Sequence, residues 1–334
     1  MKYLLYIACL LATNLPAQTF YQGADLSYIN ELEDCGVTYK ENDLPKDPYN
    51  IFADHNCSLV RLRLWHTPSW YDQLNEGKRY SDLADVKKSI KRAKAAKMQV
   101  LLDFHLSDNW ADPSKQIVPA AWKDVVDDTA ILKDSLYQYI YQTLNKLNQA
   151  DLLPEMIQIG NETNRGILLT QAVNDAGWVL DWNRNSALFN SGIQAVRDFE
   201  TANNVAISIV LHVAGPSEVD WFIENFIANG VTDFDIIGLS YYEQWHSKNS
   251  IAEVGTIIAE LKEKYHKDLM VVETGYPWTT AGNDTANNIL NQSHPAYTPL
   301  NPINQKKWLV DLSTSIQENG GIGLIYWEPA WVSS

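Results

Sequence analysis

The sequence predicts an α/β chain wound as a (β/α)8 barrel. Two observations carry that reading. Apolar, strand-like runs alternate with amphipathic helical stretches, and eight such runs fit into the chain. No G-x-G-x-x-G motif follows the first run, so the runner-up, an open doubly wound sheet with a dinucleotide site, has no support.

The strand candidates end near Asp25, Leu64, Phe104, Gly160, Val210, Ser240, Glu273 and Trp327. Between the second and third, Leu83, Val86, Ile90 and Ala93 recur at steps of 3, 4 and 3, which is one face of a helix. Ile251, Val254, Ile258, Leu261 and Tyr265 repeat the pattern. The Pro/Asn-rich stretch from Ala281 to Pro302 reads as a long loop after strand seven. Only seven residues follow Trp327, too few for the helix that should cover an eighth strand. The barrel is therefore expected to lack its C-terminal helix, as a C-terminally truncated chain would.

Ahead of the barrel, Met1–Lys2 leads into an apolar run from Tyr3 to Ala12 and then small residues up to Ala17. This is the layout of a signal peptide over residues 1–17, too short to span a bilayer, with residues 18–334 as the barrel domain. An exported protein, extracellular or periplasmic, is expected, with no membrane span further along. The remaining cysteines, Cys35 and Cys57, fall at opposite ends of a parallel sheet and are not expected to pair. The balance of 26 Lys+Arg against 41 Asp+Glu, a charge of −15, argues against a nucleic-acid partner. Twelve Trp, 17 Tyr and 8 Phe argue against disorder.

In such a barrel, side chains at the C-terminal strand ends line the mouth. Glu162 follows the run M-I-Q-I-G-N-E, where Gln158, Gly160 and Glu162 share one face and Ile157 and Ile159 the other. Glu273 ends L-M-V-V-E, in phase with Leu269 and Val271. Arg61 and Arg63 share a face on strand two, as do Asp103 and His105 on strand three. A single strand-end Glu is ordinarily a solvated end or an ion-pair partner. Two of them, with Arg in reach, match the needs of glycoside hydrolysis: a proton for the leaving oxygen and a nucleophile or base opposite. Tryptophans past the strand ends, Trp110, Trp245, Trp278, Trp327 and Trp331 among them, suit the C–H faces of sugar rings, although Trp also packs long loops. Asn161-Glu162-Thr163 matches a glycosylation pattern, but its place inside the mouth argues against modification.

These residues lie in segments that resemble the endo-β-1,4-galactanases of glycoside hydrolase family 53. The segments are G-A-D-L-S-Y (Gly23–Tyr28), V-R-L-R-L-W (Val60–Trp65), D-F-H-L-S-D-N-W-A-D-P (Asp103–Pro113), I-G-N-E (Ile159–Glu162), V-V-E-T-G-Y-P (Val271–Pro277) and Y-W-E-P-A-W (Tyr326–Trp331). The resemblance implies a retaining mechanism, with Glu162 as acid/base and Glu273 as nucleophile. It implies that Asn161 contacts the sugar 2-hydroxyl and that Arg63 and Tyr241 hold Glu273 ionised. It makes His105, Asp108, Trp110 and Trp327 cleft residues, joined by Asp25, Asp103 and His212 as substrate-binding candidates, with β-1,4-galactan as the partner. Relatives usually run on past Y-W-E-P-A-W. No cofactor is implied; a structural calcium known in some members is doubtful in this chain, and no metal ligand is assigned. The alternatives are another β-glycanase of the same clan, acting on mannan, xylan or cellulose, and a non-catalytic polysaccharide-binding barrel.

Overall fold

The computed structural model describes residues 20–173, 177–282 and 288–332, so the expected signal peptide lies outside the described residues. In chain order the elements are β1 (Tyr21–Asp25), α1 (Ile29–Asp34), β2 (Lys40–Glu41), β3 (Leu44–Pro45), α2 (Pro48–Asp54) and β4 (Leu59–Leu64). Next come α3 (Leu83–Ala95), β5 (Gln99–Phe104), α4 (Thr129–Asn148), β6 (Met156–Ile159), α5 (Trp182–Asn203) and β7 (Ser208–Ala214). The last are α6 (Pro216–Ala228), β8 (Ile236–Tyr241), α7 (Ile251–Tyr265), β9 (Asp268–Thr274), α8 (Pro302–Glu318) and β10 (Gly323–Tyr326).

Eight parallel strands close on themselves in the order β1-β10-β9-β8-β7-β6-β5-β4, with β4 pairing back to β1. This is the expected (β/α)8 barrel. The predicted strand ends hold closely except on β7, which runs four residues past Val210 to Ala214. No helix follows β10 among the described residues, yet β10 is held on both edges by β1 and β9. The β2–β3 hairpin, which the alternation did not foretell, turns through Asn42 and Asp43, both in the left-handed region at φ 51° and 65°. Cys35 and Cys57 are both free thiols.

Strand alternation divides the apolar residues into two cores. Ile157, Ile159, Leu102 and Leu239 belong to the large core between barrel and helices, which includes Ile140 of α4, Ile193 of α5 and Trp308 of α8. The barrel interior holds a smaller cluster: Leu59, Leu101, Met156, Val210, Ile236, Met270, Val272, Ile322 and Ile325. Several helix starts are fixed by side-chain caps, although α1 and α6 have none. Asp82, Asp128 and Asp181 cap α3, α4 and α5, and Ser250 with Glu253 forms a capping box on α7.

One departure from regular alternation positions the site. On β8 and β9, Leu239 pairs with Val271 but Ser240 pairs with Glu273, so Val272 is an extra residue. Met270 and Val272 face the interior while Leu269 and Val271 face the helices. Simple alternation, with Glu273 in phase with Leu269 and Val271, would aim its carboxylate at the helices. The bulge restarts the phase and turns Glu273 into the mouth.

The interior is filled to contact at Gly238, where an added Cβ would lie 2.9 Å from Val210 Cγ1 and 3.1 Å from both Val272 methyls. Gly238→Ala is therefore expected to destabilise the fold by about 1–3 kcal/mol. Urea denaturation should show a lower midpoint at unchanged slope; an unchanged midpoint would contradict this packing.

Candidate active site

The floor of the mouth is organised by Arg61, which is 1% exposed. Its Nη1 donates to Asp25 Oδ2 (3.0 Å) and Glu273 Oε2 (3.2 Å). Its Nη2 donates to Asp103 Oδ2 and Asn161 Oδ1, both at 2.6 Å. Its Nε donates to Gln158 Oε1 at 3.3 Å. All five guanidinium N–H groups are thus used, and three carboxylates share one cation.

Glu273 takes its second contact from the Tyr242 hydroxyl, which donates to Oε1 at 2.8 Å. Burial pushes the Glu273 carboxyl up, and the Arg61 charge and the Tyr242 hydrogen bond oppose that push. Glu162 lies opposite. It accepts a 2.6 Å hydrogen bond from Ser240 Oγ at Oε1. Burial, with the nearby Glu273 charge added, pushes its pKa up to about 8. Since Glu273 holds the cation directly, it is the first of the pair to ionise, and its charge then keeps Glu162 protonated. One oxygen of each carboxyl and one His212 nitrogen lie within 4.8 Å of one another.

The backbone under Glu162 is strained and clamped. After β6 the chain turns through Gly160 (φ 79°) and Glu162 (φ 48°). A Cβ on Gly160 would sit 2.6 Å from Thr163 Cγ2, so only glycine fits there. Left-handed Glu162 costs on the order of 1–3 kcal/mol and is held from three sides. Gln116 Nε2 donates to Asn161 O (2.7 Å) and Glu162 O (3.2 Å). The Glu162 N–H donates to His212 Nδ1 at 3.3 Å, and the Thr163 N–H and Oγ1 each donate to His212 O at 3.0 Å. A parallel bridge between Ile117 and Leu169 ties the loop carrying Gln116 to the loop after β6.

Several sequence expectations change here. Arg63 does not hold Glu273: it lies one inward-facing position higher, donates to Glu328 Oε1 (3.4 Å) and Ser81 Oγ (3.1 Å), and sits over the Tyr28, Trp65 and Trp110 rings at 4.6, 4.5 and 4.1 Å. Arg61 takes the expected role. Tyr241 does not reach Glu273 either. Neighbouring strand residues face opposite ways, so Tyr241 packs outside the barrel, parallel to Trp308 at 6.2 Å, and donates to Glu243 and Asn249. Tyr242 is the inward neighbour.

Asp25, Asp103, His105 and His212 are 0–2% exposed. Asp25 and Asp103 accept from Arg61, His105 lies 3.0 Å from Asp103, and His212 meets Gln158, Asn161 and Ser240; buried beneath the mouth, the four offer little surface to a substrate, contrary to their placement as substrate-binding residues. Asp108 accepts from the Thr67 and Ala120 N–H groups at 2.8 Å and so pins two mouth loops. Trp110 and Trp327 do meet at the mouth, with ring centroids 6.2 Å apart, and Trp327 contacts the exposed Trp331 at 5.7 Å. Trp245 and Trp278 are each 53% exposed. Asn161 is 5% exposed, with Nδ2 donating to Ala111 O at 2.8 Å, which leaves no room for a glycan on it. Sequence reasoning put Gln158 on the face of Glu162 and Ser240 at a strand end but gave no role to either, nor to Tyr242, Gln116 or Glu328. Parity on β8, where Gly238 faces inward, points to Ser240 and Tyr242. Nothing local marks Gln116 or Glu328.

Among the described residues, Glu162, His212 and Glu273 form the one group of three or more potential metal ligands. It fits a cation poorly, because His212 Nδ1 meets the Glu162 N–H and Nε2 meets Ser240 Oγ. A calcium ion also prefers six or more oxygens.

The geometry separates the two tyrosines by experiment. Tyr242→Phe removes a bond that favours ionised Glu273, so the acidic limb of the activity profile should move to higher pH, with a drop of about tenfold or more in kcat. Tyr241→Phe should leave that limb in place. A pH–rate profile of both variants checks this.

Comparison with known proteins agrees with the geometry. The family model described as glycosyl hydrolase family 53 matches residues 21–334. An arabinogalactan endo-β-1,4-galactanase from Cellvibrio japonicus is 46% identical over 325 residues, covering 97% of this chain and 83% of that one. The GH53 catalytic domain of Ignisphaera aggregans superposes with a TM-score of 0.82 at 32% identity, covering 96% of this chain and 87% of that one. A structure from a study of two fungal β-1,4-galactanases gives 0.79 at 28% identity, covering 93% and 90%. The chain belongs to glycosyl hydrolase family 53.

Proposed function

We propose that this protein is an endo-acting glycoside hydrolase that cleaves β-1,4-galactosidic bonds in galactan and type I arabinogalactan with retention of configuration. The observation that carries the chemistry is the carboxyl pair: Glu162 and Glu273 oxygens within 4.8 Å, Glu273 hydrogen-bonded to Arg61 and Glu162 to Ser240. Retaining pairs sit about 5–5.5 Å apart and inverting pairs about 6.5–9.5 Å, where a water must fit between. The substrate assignment is supported by the kinship with galactanases, above all the 46% identity to the Cellvibrio japonicus protein.

In this mechanism ionised Glu273 attacks the anomeric carbon while Glu162 gives its proton to the departing glycosidic oxygen. Glu162, now a carboxylate, then draws a proton from water as the water displaces Glu273, releasing the sugar in its starting configuration. Asn161 needs only one of its two amide hydrogens for Ala111 O, which frees the other for the sugar 2-hydroxyl. Trp327, beside Trp110 and Trp331, supplies the apolar face under the sugar ring at the cleavage point. No cofactor enters any step. The apolar leader at residues 3–12 supports export, which brings the enzyme to a polymer outside the cell.

The test is product analysis by NMR on pectic galactan alongside mannan, xylan and cellulose. Galactan should be cut internally, with the β-anomer formed first and the other polymers left intact. A first-formed α-anomer refutes retention, and release from mannan or xylan in place of galactan refutes the substrate. Because Glu162 must stay protonated, kcat/KM should fall on the alkaline side near pH 8.

A further inference from the structure

We propose that Ser240, ordered by His212, is a positioning residue that decides which oxygen of Glu162 carries the catalytic proton. This rests on the glycosidase reading above and adds to it a residue that the sequence did not single out. Ser240 is 0% exposed, on the inward face of β8, with its Oγ 2.6 Å from Glu162 Oε1 and 2.8 Å from His212 Nε2. His212 is equally buried, on β7.

The direction of this chain follows from one fixed donor. The Glu162 peptide N–H cannot be turned, and it points at His212 Nδ1 from 3.3 Å. Nδ1 therefore carries the lone pair and Nε2 the hydrogen. Asn161 Oδ1, 3.0 Å from Nδ1, already accepts the 2.6 Å bond from Arg61. Nε2–H then donates to Ser240 Oγ, and the Ser240 hydroxyl hydrogen has only Glu162 Oε1 to meet. Oε1 becomes the acceptor oxygen, and Oε2 is left to hold the proton that goes to the leaving group. In the opposite tautomer the hydroxyl would point at His212, and the proton on Oε1 would be spent on Ser240. The same Glu162 peptide bond that strains the backbone thus sets the imidazole, and the imidazole sets the hydroxyl. The other charged or titratable groups facing Glu162 are Glu273 on β9, Arg61 on β4, Asp112 in the loop after β5 and Tyr242 just past β8. None of them contacts Oε1 as Ser240 does.

The test compares Ser240→Ala and Ser240→Thr with the unaltered protein on two substrates: galactan, whose leaving group needs the proton, and a dinitrophenyl β-galactobioside, whose leaving group does not. S240A should lose about ten- to a hundredfold in kcat/KM on galactan and at most about threefold on the aryl glycoside. Ser240's bond favours the ionised carboxylate, so the alkaline limb of S240A should also move to higher pH. S240T, which keeps the hydroxyl, should recover most of the galactan activity. Equal losses on both substrates, or an unmoved alkaline limb, overturn the proposal and leave a merely structural serine. If S240A does not fold, Ser240→Cys, near in volume and a weak donor, takes its place with the same outcomes. Failure of the unaltered protein on both substrates would instead defeat the glycosidase reading.

Discussion

The site is built around one buried guanidinium. Arg61 sits inside the barrel with five hydrogen bonds and three carboxylates, Asp25, Asp103 and Glu273, and almost none of it is left to solvent. A cation so placed is tolerable only because every donor is met, and removing a member of such a cluster leaves uncompensated charge worth about 3–5 kcal/mol. The arrangement also creates chemical asymmetry. Two carboxyls face one gap, but one of them touches the cation and the other touches a serine. The first is held as the anion and the second as the acid, which is the division of labour a double displacement requires.

Local backbone irregularity brings the two carboxyls to face each other. The β9 bulge at Val272 turns Glu273 inward, and the left-handed turn at Gly160 and Glu162 lifts the other carboxyl off the end of β6. Neither conformation is favoured on its own. Both are held by neighbours, the first by pairing to β8 and β10, the second by Gln116 and His212. Strain of this kind persists where surrounding contacts over-determine it, and it concentrates where chemistry needs an exact direction.

Much of this was legible in the sequence. The barrel strands follow from apolar runs of the right length, and the two carboxylates from their places at strand ends. The errors have a common physical source. Arg61 and Arg63 point the same way on β4, so parity cannot say which one reaches Glu273; the choice depends on depth along the strand, about 6.6 Å between them. Tyr241 and Tyr242 are adjacent, and a shift of one residue reverses the direction of the side chain. The bulge at Val271 and Val272 leaves no trace, since both residues are apolar whichever one is extra. Gln116 lies 46 residues from Glu162 in the chain and meets it only through loop packing.

Double displacement requires Glu273 to form a covalent bond to the sugar while Glu162 supplies the proton. A 2-deoxy-2-fluoro-β-galactobiosyl fluoride should form the glycosyl-enzyme and slow its breakdown enough for capture. Peptide mass spectrometry of the trapped protein should then place one disaccharide on the peptide containing Glu273. A label on the Glu162 peptide, or turnover of galactan with no covalent adduct at any residue, would contradict it.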